Sequence, residues 1–192
     1  RNDGQLAALT YQREQQVVAW HRHIFGGSFG SGNAVCDSVA TIPTDDSEYQ
    51  TWVIVKRTIN GATKRYIEYI HEYDFDETDD TSFNFLDSQL SYDGSAASTI
   101  SGLAHLEGQT VSILANGAAH PNKVVSSGEV ILERSATKVK IGLPYTSLLQ
   151  TMRIDAGSQN GTSQSKTKRI YEITARLYES IGVEVGPDLD NM

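Results

Sequence analysis

The sequence predicts an all-β chain: an antiparallel meander followed by a small β-barrel or sandwich module. Three observations predict it. Apolar residues alternate with period 2, Gly, Asn and Asp turn signals interrupt the alternation, and the second half carries short strand-like runs at close spacing.

From Val17 to His23, Val18, Trp20 and Arg22 point one way while Val17, Ala19 and His21 point the other. A glycine-rich turn, Gly26-Gly27-Ser28-Phe29-Gly30-Ser31-Gly32, leads to a strand expected over Val35 to Ile42, stopped by Pro43. Thr51 to Thr58 contains Trp52-Val53-Ile54-Val55, too apolar for an open face, and reads as a central strand. Asn60-Gly61 supplies the two positive-φ residues of a type I′ turn, so Lys64 to Tyr73 should fold back as the hairpin partner. These segments predict a four-stranded meander of about 70 residues.

Composition then changes. Asp74-Phe75-Asp76-Glu77-Thr78-Asp79-Asp80 is too charged to bury and reads as a loop. Short strands are expected at Thr99 to Gly102, Thr110 to Leu114, Lys123 to Val125, Glu129 to Leu132 and Lys138 to Ile141. Asp93-Gly94, Asn116-Gly117 and Ser127-Gly128 are read as turns among them. Tyr145 to Ile154 and a polar loop, Gly157 to Ser165, follow. Lys168 to Ser180 fits a helix face through Ile170, Ile173 and Leu177, and strict alternation through Tyr171, Ile173, Ala175 and Leu177. Its β-branched and aromatic content favours a strand. The expected organisation is residues 1–86 as the meander, 87–143 as the barrel-like module, and 144–192 as C-terminal strands packing back on the sheet.

With 192 residues the chain is long enough to bury a real core. Its 16 Lys and Arg against 24 Asp and Glu leave a net charge of −8, and its pI is near 5.0. That balance opposes tight wrapping of nucleic acid, although a duplex could still pass through an acidic tube. No apolar run reaches the ~18 residues of a membrane span. A lone cysteine excludes a disulfide scaffold and a Cys-rich zinc site. Arg1-Asn2-Asp3-Gly4 shows neither a signal pattern nor an initiator Met, so a fragment of a longer chain is expected.

His21 and His23 share a strand face, a spacing that can chelate a metal, but no third ligand shares their direction. Asp74, Asp76, Asp79 and Asp80 offer hard oxygen ligands without the glycine and terminal Glu of an EF-hand loop, so a solvated loop is favoured. Cys36 has no positive neighbour to stabilise a thiolate. The Gly26–Gly32 run lacks a phosphate-binding lysine and a following helix. Asp45-Asp46 and Asp79-Asp80 are merely adjacent on loops and define no acid–base pair. Lys166, Lys168 and Arg169 form a basic cluster that reads as a solvated loop margin. Trp20, Trp52, Tyr66 and Tyr69 occupy strand positions, divided between core and contact surfaces. No catalytic, cofactor or metal residue is assigned, and the chain is read as a non-enzyme without a cofactor.

Four phrases carry a resemblance. Leu9-Thr10-Tyr11-Gln12-Arg13-Glu14-Gln15-Gln16-Val17-Val18-Ala19-Trp20-His21-Arg22-His23 is the longest. The others are Arg57-Thr58-Ile59-Asn60-Gly61 with Arg65-Tyr66-Ile67-Glu68, Gly102-Leu103-Ala104-His105-Leu106-Glu107-Gly108, and Gly142-Leu143-Pro144-Tyr145-Thr146-Ser147. Together they resemble the tail nozzle (tail tubular B, or stabilisation) proteins of short-tailed bacteriophages, over roughly Leu6 to Pro187.

The resemblance implies a propeller-type, blade-like meander followed by a β-barrel-like module, within a C-terminal fragment of a longer chain. It implies a homo-oligomeric ring, a hexamer in nozzles, meeting adaptor, fibre or spike proteins of the virion tail. Double-stranded DNA would pass only transiently, and the protein would be made in the host cytoplasm. One meander cannot close a propeller, so its edges need other partners. The alternative expectation is a carbohydrate- or host-receptor-binding β module using Tyr69, Tyr73 and Phe75 beside the acidic loop. Calcium binding by that loop stays open.

Overall fold

A computed structural model describes residues 3–44, 49–71, 84–152, 167, 169–177, 180 and 182–188. The chain divides into two compact units, Arg1–Ser147 and Leu148–Met192. The first unit is all-β and antiparallel. A single 3-10 turn, Ala104–Leu106, is the one helical element among the described residues. None of them forms a helix long and apolar enough to cross a membrane.

Strand β1 (Leu6–Gln12) pairs with β2 (Val17–His23) as a separate two-stranded hairpin. The turn between them closes through the Gln16 N–H donating to the Arg13 carbonyl, with Gln16 at φ +55°. The expected four-stranded meander is therefore corrected to three strands. The ladder of β2 runs to β1, from Leu6↔His23 to Gln12↔Val17, and no ladder joins β2 to β5. The glycine run is also more ordered than a plain turn: β3 (Ser28–Phe29) and β4 (Gly32–Asn33) form a minimal hairpin around Gly30, at φ +60°.

The three-stranded sheet has the order β5 (Val35–Pro43), β6 (Tyr49–Ile59), β7 (Ala62–Ile70). The β6–β7 turn forms as the sequence predicts. Asn60 and Gly61 adopt φ +48° and +73°, and the register closes on Ile59↔Ala62. On β6, Val53, Val55, Arg57 and Ile59 are buried, every second residue.

The second sheet has the order β10 (Ala118–Val124), β9 (Thr110–Ala115), β11 (Glu129–Leu143), β8 (Asp87–Ser101). Two of these strands are longer than expected. Asp93-Gly94 lies inside β8 and makes no turn. A Cβ on Gly94 would lie 3.0 Å from the Tyr92 hydroxyl, which donates to the Ser95 carbonyl at 2.6 Å, so the glycine leaves the lane that the tyrosine ring occupies. The two short strands expected at Glu129 to Leu132 and Lys138 to Ile141 are one continuous β11. Its buried residues run Val130, Leu132, Ala136 and then Val139, Ile141, Leu143. The register to β8 shifts on both sides of Ala136, with extra β11 residues between Ile131 and Ala136 and extra β8 residues opposite Thr137, and the buried phase changes across this stretch.

Asn116, at φ +48° in the I′ turn with Gly117, secures that irregularity. Its Oδ1 accepts the Thr137 N–H at 3.1 Å and the Lys138 N–H at 3.0 Å. At the turn Ser127-Gly128, both backbone N–H groups donate to the Glu107 carboxylate, at 3.0 and 2.7 Å. The sheet bends so that edge strand β10 meets β11: the Glu133 N–H donates to His120 Nε2, and Lys123 pairs with Glu133 at 3.1 Å. No ladder joins these strands, so the sheet is not a closed barrel.

The main core lies on this sheet and includes Ile100, Leu103, Leu106, Val111, Val139 and Ile141. A smaller one joins Phe25, Ala34, Val53 and Val55.

In the second unit no strand forms among the described residues. The alternation Tyr171, Ile173, Ala175, Leu177 has no ladder partner there, and these residues are exposed. The strand expected at Lys168 to Ser180 is corrected accordingly over 169–177. Alternation supplies two faces but not a neighbouring backbone to pair with. Lys168, Tyr178 and Glu179 lie outside the described residues, as does most of the polar loop.

Candidate functional site

The densest polar constellation of the first unit begins with Arg57. Strand periodicity places it on the core face of β6, between Val55 and Ile59, where its side chain is 0% exposed. An unpaired guanidinium there would carry a large desolvation cost. Glu68 of β7 meets it with both carboxylate oxygens: Nη1 pairs with Oε1, and Nη2 donates to Oε2 at 3.1 Å. The Nε–H donates to the Gly26 carbonyl at 2.8 Å. The guanidinium thus bonds two chain segments at once, through one donor on each of its three nitrogens.

Gly26 connects this pair to the second sheet. Its N–H donates to Asp87 Oδ2 at 2.6 Å, at the start of β8. A Cβ at Gly26 would lie 2.8 Å from the Pro144 carbonyl oxygen, too close for backbone to yield, so no larger residue fits without displacement. Burial pushes the Asp87 carboxyl above the ordinary range. The Gly26 N–H and the Arg57 charge oppose that rise, and the Glu68 charge adds to it.

A second bridge runs beside the first. The Tyr66 hydroxyl donates to the His105 carbonyl at 3.0 Å, and the two rings meet edge to face at 6.2 Å. His105 Nε2 lies 3.1 Å from the Ser88 carbonyl, a contact that requires the Nε2–H tautomer. Burial raises the Tyr66 pKa, with Arg57 opposing and Glu68 adding. Gln109 Nε2 donates to the Thr58 carbonyl at 3.5 Å. The chemistry of this cluster is positional: its donors and acceptors are engaged in holding β6 and β7 against β8 and the 3-10 turn.

The other face of the three-stranded sheet is open. Trp52 and Tyr69 are cross-strand partners with ring centroids 5.3 Å apart, and Ile67 beside them is 72% exposed. Asp37 closes one end of this face, bonding Lys56 at 3.1 Å and Arg65 at 2.8 Å. The Arg65 and Lys56 hydrogen bonds hold its carboxyl below the usual range. On the β1–β2 hairpin, Leu9 pairs with Trp20 and Tyr11 with Val18 on one face, all exposed, Trp20 by 73%.

The residues singled out in the sequence are scattered. His21 and His23 stand on β2 with ring centroids 4.9 Å apart. Burial, and secondarily His21, pushes the His23 pKa down. Cys36 is half-buried on β5 and donates to the Ser38 carbonyl at 3.4 Å. Burial pushes its thiol pKa up, the Ser38 bond opposes this, and Asp37 adds to it. Within the glycine run, the Phe29 ring lies 4.5 Å from Lys56 Nζ. A cleft of about 330 Å³ over Gly26 and Gly27, lined also by Phe25, Asn33, Pro144 and Tyr145, brings no carboxylate, imidazole or cation to its wall. Arg169 is exposed. Asp45, Asp46, Tyr73, Asp74, Phe75, Asp76, Asp79, Asp80, Lys166 and Lys168 lie outside the described residues.

Sequence reading missed Arg57, Glu68 and Asp87. The signal for Arg57 was present, because it falls in phase with Val53, Val55 and Ile59; Glu68 follows from the hairpin register. Nothing local marks Asp87. No family model matches the chain, and no curated protein is a significant match to it.

Proposed function

We propose that this chain is a structural module of a bacteriophage virion tail, part of a nozzle or tail tip assembled as a homo-oligomeric ring. The exposed β1–β2 hairpin carries the reading. A two-stranded hairpin is marginally stable alone, and this one presents Leu9, Tyr11, Val18 and Trp20 to solvent on one face. Such a face is suited to burial against a neighbouring subunit or another tail protein, such as an adaptor, fibre or spike. The phrase-level resemblance to tail nozzle proteins supports the same reading.

In this reading the β5–β7 sheet is a blade-like element whose edges are completed by neighbours, and the bent β8–β11 sheet is the barrel-like module. The buried Arg57–Glu68 junction fits a part that must keep its two sheets fixed under load. A net charge of −8 suits a channel wall that repels DNA in transit rather than binding it. Electron microscopy of the protein expressed from its full reading frame is the test. Closed rings support the proposal, and dispersed monomers at high concentration contradict it.

A second reading has its own observation. The Trp52–Tyr69 pair on the open sheet face offers two adjacent aromatic rings, with Asp37, Lys56 and Arg65 nearby for hydroxyl groups. This supports a carbohydrate- or receptor-binding module. A glycan array separates the two: saturable binding weakened by Trp52→Ala favours it, and silence at about millimolar glycan disposes of it.

A further inference from the structure

We propose that His21 and His23 form a two-imidazole site for a divalent transition-metal ion of the Zn²⁺, Ni²⁺ or Cu²⁺ class. Strand periodicity places both side chains on one face of β2, and their ring centroids are 4.9 Å apart with the planes crossed at 71°. Crossed rings at this separation need only side-chain rotation to bring one nitrogen each to about 2.0–2.1 Å from a shared ion. Across the ladder stand Ala8, opposite His21, and Leu6, opposite His23, so the facing strand sets no charge against the pair.

The contrast with other histidines strengthens the assignment. His105 has its Nε2 against the Ser88 carbonyl, and His120 is held between the Pro121 carbonyl and the Glu133 N–H. Neither His21 nor His23 has a ring nitrogen in a hydrogen bond among the described residues, and the two rings contact each other. Imidazole selects borderline transition metals, whereas Ca²⁺ and Mg²⁺ require several oxygen donors, and Leu6 and Ala8, directly opposite the pair, supply none from their side chains. Two protein ligands leave the remaining coordination positions to water or to donors from another molecule.

The test is a titration of the whole chain with Ni²⁺ and with Zn²⁺, read by calorimetry and by the histidine ring resonances. The His21 and His23 signals should shift or broaden together, and Ca²⁺ should leave them unchanged. Because two linked ligands act as a chelate, His21→Ala and His23→Ala should each weaken binding at least about tenfold, while His71→Ala leaves it intact. His21 is exposed and His23 half-buried, so unchanged core methyl resonances in each variant would verify that the fold persists. No perturbation at about 1 mM metal, or binding that survives the double variant, overturns the proposal.

Discussion

Arg57 and Glu68 meet with both ends of the guanidinium fork on both carboxylate oxygens, at a position where the arginine side chain has no exposed surface. The register explains how. Glu68 lies opposite Val53, so the arginine side chain runs back along the face of β6, past Val55, to reach it. A residue type usually found in water thereby becomes the link between a hairpin and the loop at Gly26.

Removing one partner should be more damaging than removing both. Glu68→Ala leaves a buried cation with only the Gly26 carbonyl and should cost about 3–5 kcal/mol in urea unfolding. The double variant Arg57→Met/Glu68→Leu should recover much of that loss, because apolar groups of similar volume need no partners. A double variant as unstable as the sum of its singles would refute this account of the pair.

Asp87 gives the junction a pH dependence of definite sign. A carboxyl whose folded pKa is raised binds its proton more tightly in the native state. Its contribution is therefore complete below the ordinary value of 3.8 and is lost as pH rises through the raised one. Asp37, held low by Arg65 and Lys56, acts oppositely, and its contribution falls away as pH drops below the ordinary carboxylate range. Asp87→Asn keeps an acceptor for the Gly26 N–H and should flatten the decline on the upper side of 3.8, measured as the urea midpoint against pH.

Asn116 combines a turn conformation with a side-chain acceptor. Asn116→Gly retains the positive φ but strips the Thr137 and Lys138 N–H groups of their partner, and because both bonds are exposed to water the cost should be about 0.5–1.5 kcal/mol. Asn116→Asp keeps the acceptor and should melt closer to the parent protein. Equal melting temperatures for the two variants would remove the side chain from the explanation.

How much of this was legible depends on whether local chemistry alone decides it. Asn60-Gly61 specified its hairpin because the turn type needs those conformations, and Val17 to His23 matched its strand for strand bounds. The β11 strand reads as two because its buried phase changes across the register shifts on either side of Ala136, which alternation cannot bridge. Asp93-Gly94 misled because a glycine serving a neighbouring ring looks the same as a glycine serving a turn. The pairing of β2 with β1, and the contact of Gly26 with Asp87 across 61 positions, are tertiary choices without a local mark. For Cys36 the sequence shows no positive neighbour to stabilise a thiolate, and in the structure burial raises its thiol pKa.

Sedimentation of the full protein beside its Trp20→Glu variant tests the central proposal most directly. A charge at a position 73% exposed in the single chain should leave its fold intact, as circular dichroism can verify. If the hairpin face is buried between subunits, the parent protein sediments as a closed oligomer and the variant as smaller species. If both sediment as monomers across the same concentrations, or as the same oligomer, the hairpin is not the assembly surface and the account fails.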